Sequence, residues 1–328
     1  MATGKVLVTG SSVDEELLKP LTEAGLTIVN PQHLLSEAEL SDQLRDCRAY
    51  LLGGEEHATR AAIEAATQLE IIAFLGVGYD SFIDVQTASA RGIVVTNTPG
   101  TLTNSVAEFT VGHLLNATRR ITEYSNSYRR GEREGEVKQH DLAEMTVGII
   151  GLGDIGSRIA KILVGFDCKI QYFSRTRKPD VEDSLGITYK ELSDLASSSN
   201  ILIVMTPGTA STANLLDRKI LSLVPTGTIL INTARYEVVE PEALREALLV
   251  GKVSIAAYDV FYDGGIGEQL LSEFGEDRLI VTGHIASLTH EARDGMAVKA
   301  VRSILNVVAG KDDEDIVNRE ELASSSRS

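Results

Sequence analysis

Short apolar runs alternate with amphipathic stretches almost from one end of the chain to the other. The segments "KVLVTG", "LTIVN", "AYLLGG", "EIIAFLG" and "GIVVTN" are strand-sized, and each closes on Gly or Asn. Between them, residues 13–24, 36–45, 58–67 and 84–91 carry helical patterns. Alternation of this kind predicts a parallel sheet with helices on both faces, because strands joined by crossover helices run the same way. One such sheet is complete by about residue 100. A long helix is expected from "TNSVAEFTVGHLLNATRRITEY", with Val106, Phe109, Leu114 and Ile121 as its apolar stripe. The alternation then restarts at "MTVGIIGLGDIG" and runs through "CKIQYF", "NILIVMTP", "GTILINTA", "VSIAAYDV" and "RLIVTGH". One more helix over 291–308 and a frayed tail ending "ELASSSRS" close the chain.

The fold class is therefore α/β, with two doubly wound parallel-sheet domains. Only a helix follows the second sheet, so that helix is expected to return to the first domain. This gives residues 1–100 plus 286–328 as one discontinuous domain and 101–285 as the other, with a hinge at the two crossings. A length of 328 residues agrees with more than one core.

Composition narrows the function classes. A net charge of -16 opposes binding to a nucleic-acid backbone. Cys47 and Cys168 are far apart and lack metal or redox spacing, so two buried or half-buried thiols are expected, with no metal site. The N-terminus has no apolar signal core, and no segment approaches the ~18 apolar residues of a membrane helix. A cytoplasmic protein without a membrane partner is expected.

"GIIGLGDIG" holds Gly151, Gly153 and Gly156 in G-x-G-x-x-G spacing, after an expected strand over 146–150 and before an expected helix over 154–164. That context predicts a dinucleotide site: Gly151 for the tight turn, Gly153 for close approach to the pyrophosphate, Gly156 for helix packing. About 20 residues past the first glycine an acidic residue would hold the ribose of NAD. This chain has Ser174, Arg175, Thr176 and Arg177 there, which suit the 2′-phosphate of NADP. NADP(H) is therefore the preferred cofactor, with NAD(H) possible.

The segments "LGVGYDSFID", "NTPGTLTNSVAEFTVGHLL", "TVGIIGLGDIG", "INTARYEVVEPEALREAL", "AAYDVF" and "VTGHIAS" occur in the order seen in D-isomer-specific 2-hydroxyacid dehydrogenases. The chain resembles that family over essentially its whole length, and "YFSRTRKP" and "THEARDGMA" look most like its glyoxylate and hydroxypyruvate reductases. The resemblance implies a flavodoxin-like substrate domain and a Rossmann cofactor domain. It implies reduction of a 2-oxo acid, with Val77 and Gly78 cradling the carboxylate, Arg235 orienting and polarising the substrate, and His284 as general acid. It also implies cofactor contacts from Thr103, Asp154, Ile155, Thr206, Pro207, Thr212, Thr233, Ala234 and Asp259, and a homodimer formed through the helix after "TNSVAEF".

The pattern departs from the family at three points. Gly264 stands where a glutamate usually pairs with the histidine, leaving Asp263 or Glu268 as possible replacements. Without such a carboxylate less His284 is protonated, and activity is expected to fall sooner as pH rises. Tyr236 follows the arginine in place of glycine, and Gly283 precedes the histidine in place of proline. The alternative from another class is a nucleotide-sensing, co-repressor-like binding protein with little turnover.

Overall fold

The apolar runs form parallel strands gathered into two separate sheets. The structure, a computed structural model, describes residues 3–10, 13–132 and 139–325. The chain divides into two units, Met1–Leu102 with Leu288–Ser328, and Thr103–Ser287.

In the first unit the chain runs through β1 (Gly4–Val8), α1 (Glu15–Glu23), β2 (Leu26–Val29), α2 (Glu37–Leu44), β3 (Cys47–Leu52), α3 (Arg60–Ala65), β4 (Ile71–Phe74), α4 (Val85–Ala90) and β5 (Val94–Thr96). Their order in the sheet is β2-β1-β3-β4-β5, the flavodoxin-like arrangement. Successive strand residues face opposite sides, so Leu7, Tyr50, Leu52 and Ile72 enter one core while Val6, Val8, Ala49, Leu51, Ile71 and Ala73 enter the other. Both faces are buried along the central β3 and β4, and these strands are accordingly apolar apart from Arg48. Cys47 is buried and Cys168 half-buried; both are free thiols, and burial pushes Cys47 up to about 11.

The second unit begins with α5 (Thr103–Arg119) and α6 (Ile121–Arg129). It continues through β6 (Thr146–Ile150), α7 (Asp154–Leu163), β7 (Lys169–Phe173), α8 (Pro179–Leu185), β8 (Thr188–Tyr189), α9 (Leu192–Ser198) and β9 (Ile201–Val204). The last elements are α10 (Arg218–Leu223), β10 (Thr228–Asn232), α11 (Pro241–Leu249), β11 (Val253–Tyr258), α12 (Gly264–Glu273) and β12 (Leu279–Val281). The order β12-β11-β10-β9-β6-β7-β8 is that of a Rossmann sheet extended by one strand, and it reverses between β6 and β9. Two apolar layers again cover it, one around Leu202, Leu230 and Tyr258 and one around Ile149, Ile203 and Ile231.

Two expectations are corrected here. The long helix is two helices: Arg120 adopts a left-handed conformation (φ 52°), and the Asn116 side chain accepts from the Thr122 N–H at 2.9 Å to start the second. That turn redirects the chain, so Val106 and Leu114 are buried whereas Ile121 is 56% exposed and leaves the stripe. The tail is also more ordered than expected. After α13 (His290–Val308), a last helix, α14 (Arg319–Ser325), takes in all of "ELASS"; residues 326–328 lie outside the described residues.

Both terminal helices belong to the first unit. Ala300, Val301 and Ile304 of α13 pack on the strand face formed by Val6, Val8 and Ala49. Before α14, the fully buried Asn318 accepts from the Val95 N–H and donates to the Ser89 hydroxyl and the Ile93 carbonyl. Buried Asp313 and Asp315 are held by Ser303, Asn306, Lys299 and Arg302. These polar anchors tie the segment before α14 along β5, which apolar periodicity alone does not reveal.

Candidate functional site

The turn after β6 is built by its three glycines. Gly151 has φ +103°, and a Cβ there would lie 2.4 Å from the Met205 carbonyl oxygen at the end of the neighbouring strand. Only glycine combines that backbone angle with that approach. A Cβ on Gly156 would lie 2.1 Å from the Gly151 oxygen, so α7 rests directly on the turn. Gly153 differs, because nothing lies within 4 Å of its Cβ position. It is also the N-cap of α7 and supplies no side-chain cap, so the N–H groups beginning at Asp154 and Ile155 face open space. A free helix start carries positive potential, and the gap at Gly153 admits an anion to it. This fits a dinucleotide pyrophosphate.

One strand over, the turn after β7 sorts its charges. Arg175 is exposed and has no hydrogen bond or ion pair among the described residues. The Ser174 hydroxyl donates to the Thr176 carbonyl at 2.5 Å, which tightens the turn. Arg177 is committed elsewhere, donating from Nε and Nη2 to the two Glu182 oxygens at 2.8 and 2.7 Å. Those bonds and the Tyr172 hydroxyl hold the Glu182 carboxyl down at about 2.

After β9, Thr206 and Pro207 lead into a turn held by Thr212, whose hydroxyl donates to the Pro207 carbonyl and accepts from the Thr209 N–H. After β10, the fully buried Asn232 donates to the Arg235 carbonyl at 3.0 Å and accepts from the Ala234 N–H at 3.1 Å. That side chain shapes the turn presenting Thr233, Ala234 and Arg235. Thr233 shares a 2.6 Å bond with Thr110 of α5. The Thr110 proton is directed to the Val106 carbonyl, so Thr233 is the donor and its oxygen keeps acceptor capacity.

Asp259, 2% exposed, organises the turn that carries His284. Its Oδ1 accepts from the Thr282 hydroxyl at 2.6 Å and the Ile285 N–H at 2.9 Å, and its Oδ2 from the Ala286 N–H at 2.9 Å. The His284 N–H donates to the Asp259 carbonyl at 2.7 Å. The turn thereby holds His284 at φ 56°, a left-handed angle rare outside glycine. A carboxylate offers about four acceptor positions, so three bonds leave one for an amide donor such as a nicotinamide carboxamide. His113 of α5 lies behind this turn, 3.3 Å from the Thr282 hydroxyl, and burial lowers its pKa.

All these turns lie at the carboxyl ends of parallel strands, so one edge of the second sheet gathers Gly151, Ser174, Thr206, Arg235, Asp259 and His284. Thr103 opens α5 in the same unit. Val77 and Gly78 follow β4 in the first unit, where the Asn97 amide donates to the Val77 carbonyl at 3.1 Å. Asn232, Thr110 and Thr282 received no role from the sequence. Asn232 stands inside "INTAR", and an Asn closing a strand before small residues is the one local signal for such a turn.

The departures have definite places. Gly264 is the first residue of α12 at φ +68°. Asp263 and Glu268 are exposed, and neither carboxylate makes a hydrogen bond or ion pair among the described residues. Tyr236 is half-buried, its ring 5.3 Å from that of Tyr262. Gly283 is exposed, with room for a Cβ.

Comparison with known proteins matches residues 111–286 to the family described as "D-isomer specific 2-hydroxyacid dehydrogenase, NAD binding domain". The glyoxylate reductase of Thermococcus litoralis is 37% identical over 294 residues, covering 87% of this chain and 88% of that one. A solved glyoxylate reductase from Paecilomyes thermophila superposes with a TM-score of 0.86 at 26% identity, over 98% of this chain and all of that one. A D-lactate dehydrogenase from Aquifex aeolicus, solved with NAD and lactic acid, gives 0.81 at 25% identity over 97% and 98% of the two chains. No helix among the described residues is long and apolar enough to cross a membrane. The chain belongs to the D-isomer specific 2-hydroxyacid dehydrogenases and is an oxidoreductase with a nicotinamide-cofactor domain.

Proposed function

We propose that the protein reduces a small 2-oxo acid, such as glyoxylate, hydroxypyruvate or a bulkier analogue, to the D-2-hydroxy acid, with NADPH preferred over NADH. The observation that carries this reading is the uncapped start of α7 at Gly153, with Arg175 at the end of the neighbouring strand exposed and without a hydrogen bond or ion pair among the described residues. The second unit is the dinucleotide-binding domain and the first the substrate-binding domain.

In this reading the backbone from Gly151 to Gly156 holds the pyrophosphate, and Ser174, Arg175 and Thr176 hold the 2′-phosphate. Thr103, Thr206, Pro207, Thr212, Thr233, Ala234 and Asp259 hold the nicotinamide end, Asp259 with its remaining acceptor position. The bound cofactor supplies the hydride. Arg235 takes the substrate carboxylate in a two-pronged grip and draws electron density from the carbonyl, assisted at the carboxylate by the N–H groups of Val77 and Gly78. His284 donates a proton to the oxygen that becomes the hydroxyl. A second copy joins through α5 and α6, where Ile121 and Tyr128 are exposed, and sedimentation velocity reads that assembly.

The test follows the absorbance of NADPH, then NADH, with glyoxylate, hydroxypyruvate, pyruvate and phenylpyruvate. Turnover with at least one acid is expected, and His284→Ala lowers kcat by about 10²–10⁴ while leaving NADPH bound. Gly264, which provides no carboxylate, favours a second reading as a nucleotide sensor. Tight NADPH binding without turnover of any of these acids would select it.

A further inference from the structure

Arg177 and Arg175 are two residues apart yet differently engaged. We propose that Glu182 and Tyr172 lock Arg177 against α8, so that Arg177 positions the turn after β7 and, of the two arginines, Arg175 is the one that recognises the 2′-phosphate. This deepens the NADPH reading above and rests on it.

The lock is anchored in the core. The Tyr172 ring is fully buried at the end of β7, and its hydroxyl accepts from the Lys178 N–H at 2.8 Å and donates to Glu182 Oε1 at 2.6 Å. The Glu182 side chain is 10% exposed, whereas that of Arg177 is 63% exposed. Arg177 therefore reaches inward from the turn to a carboxylate that cannot swing out to meet it. Its guanidinium also lies 5.8 Å from the centroid of the Tyr189 ring, which stands edge-on to Tyr172. Tyr189 is tied in turn to Glu191 at 3.0 Å.

This arrangement fixes the turn at both ends. Lys178 is held through its backbone and Arg177 through its side chain, while the Ser174 hydroxyl closes the near end on the Thr176 carbonyl. A phosphate carrying nearly two negative charges is drawn by net charge, and the Arg177–Glu182 pair presents none. Arg175 has no such compensation among the described residues. Preorganising the turn removes part of the ordering cost that binding would otherwise meet. A surface ion pair serving stability alone would contribute little and would not distinguish one nucleotide from another.

The test measures, by calorimetry, the dissociation constants of adenosine 2′,5′-bisphosphate and adenosine 5′-monophosphate for the full-length protein. Glu182→Gln and Arg177→Ala should each weaken the bisphosphate about fivefold relative to the monophosphate, with no further loss in the double variant. Arg175→Ala should weaken it more, by about tenfold or beyond on the same ratio. If Glu182→Gln leaves the ratio unchanged or tightens the bisphosphate while Arg177→Ala weakens it, Arg177 is itself a ligand and the lock is refuted. An equal loss for both nucleotides in Glu182→Gln assigns the pair to stability alone and also refutes it. If Arg175→Ala leaves the wild-type ratio, the phosphate reading fails first and takes the lock with it.

Discussion

Each unit sets a glycine at positive φ just after its first strand, and the described helix starts that follow are capped in opposite ways. Gly10 follows β1 and Gly151 follows β6, both at positive φ, +88° and +103°. In each, a Cβ would strike a carbonyl oxygen across the point where strand order reverses: Gly53 at 2.3 Å in the first unit, Met205 at 2.4 Å in the second. The helices that follow differ. In the first unit α1 is capped by Asp14, whose side chain accepts from the Glu16 N–H at 2.9 Å, and Glu15 and Glu16 fill its first turn. In the second, α7 is capped by a bare glycine, and Asp154 is the one acid in its first turn. Satisfied N–H groups and two extra carboxylates make the first helix start repel a phosphate, while the second attracts one. Doubly wound architecture thus places a glycine turn ahead of a helix start twice, and in the proposed reading the capping residues decide which start takes the phosphate.

Transplanting a cap should erase the difference. Gly153→Asp gives α7 an acidic side-chain cap like that of α1. Two unit charges ~4 Å apart at an effective dielectric of ~20 repel by ~4 kcal/mol, so NADPH binding should weaken by up to about a thousandfold. Unchanged affinity in a titration of cofactor fluorescence would contradict the anion site at α7. Gly10→Ala and Gly151→Ala meet equal crowding and should each cost about 2–3 kcal/mol of folding stability in denaturant unfolding. Nucleotide affinity should change sharply in the Gly151 variant and little in the Gly10 variant that remains folded. Arg175→Asp should shift preference from NADPH towards NADH by about tenfold or more in kcat/KM, since it replaces attraction by repulsion at the 2′-phosphate. The smallest effect belongs to Asp14→Ala, which removes the cap of α1 and should cost about 1 kcal/mol, seen as a lower Tm, without altering cofactor binding.

Much of the second unit could be read in advance from local pattern. A glycine motif between an apolar run and an amphipathic run specifies backbone angles and close approaches that only glycine tolerates, and Gly151 and Gly156 meet those demands directly. Arg177 was harder to place. By charge it belonged with Arg175, but its partner Glu182 lies on the following helix beneath a buried tyrosine, and composition does not show where a side chain turns. The break at Arg120 was equally hidden, since "TRRITEY" is helical on both sides of it.

Residues near in sequence thus announced the alternation of elements, the two parallel sheets and the glycine turn, because backbone sterics and apolar burial act over a few positions. Tertiary packing decided the rest. It set Asn232 under the arginine turn, closed Asp259 on the turn that carries His284, and drew the segment before α14 along β5 through Asn318. Each of these is a buried polar group that must find a hydrogen-bond partner, and the partner is chosen by the approach of distant segments and not by neighbours in the chain.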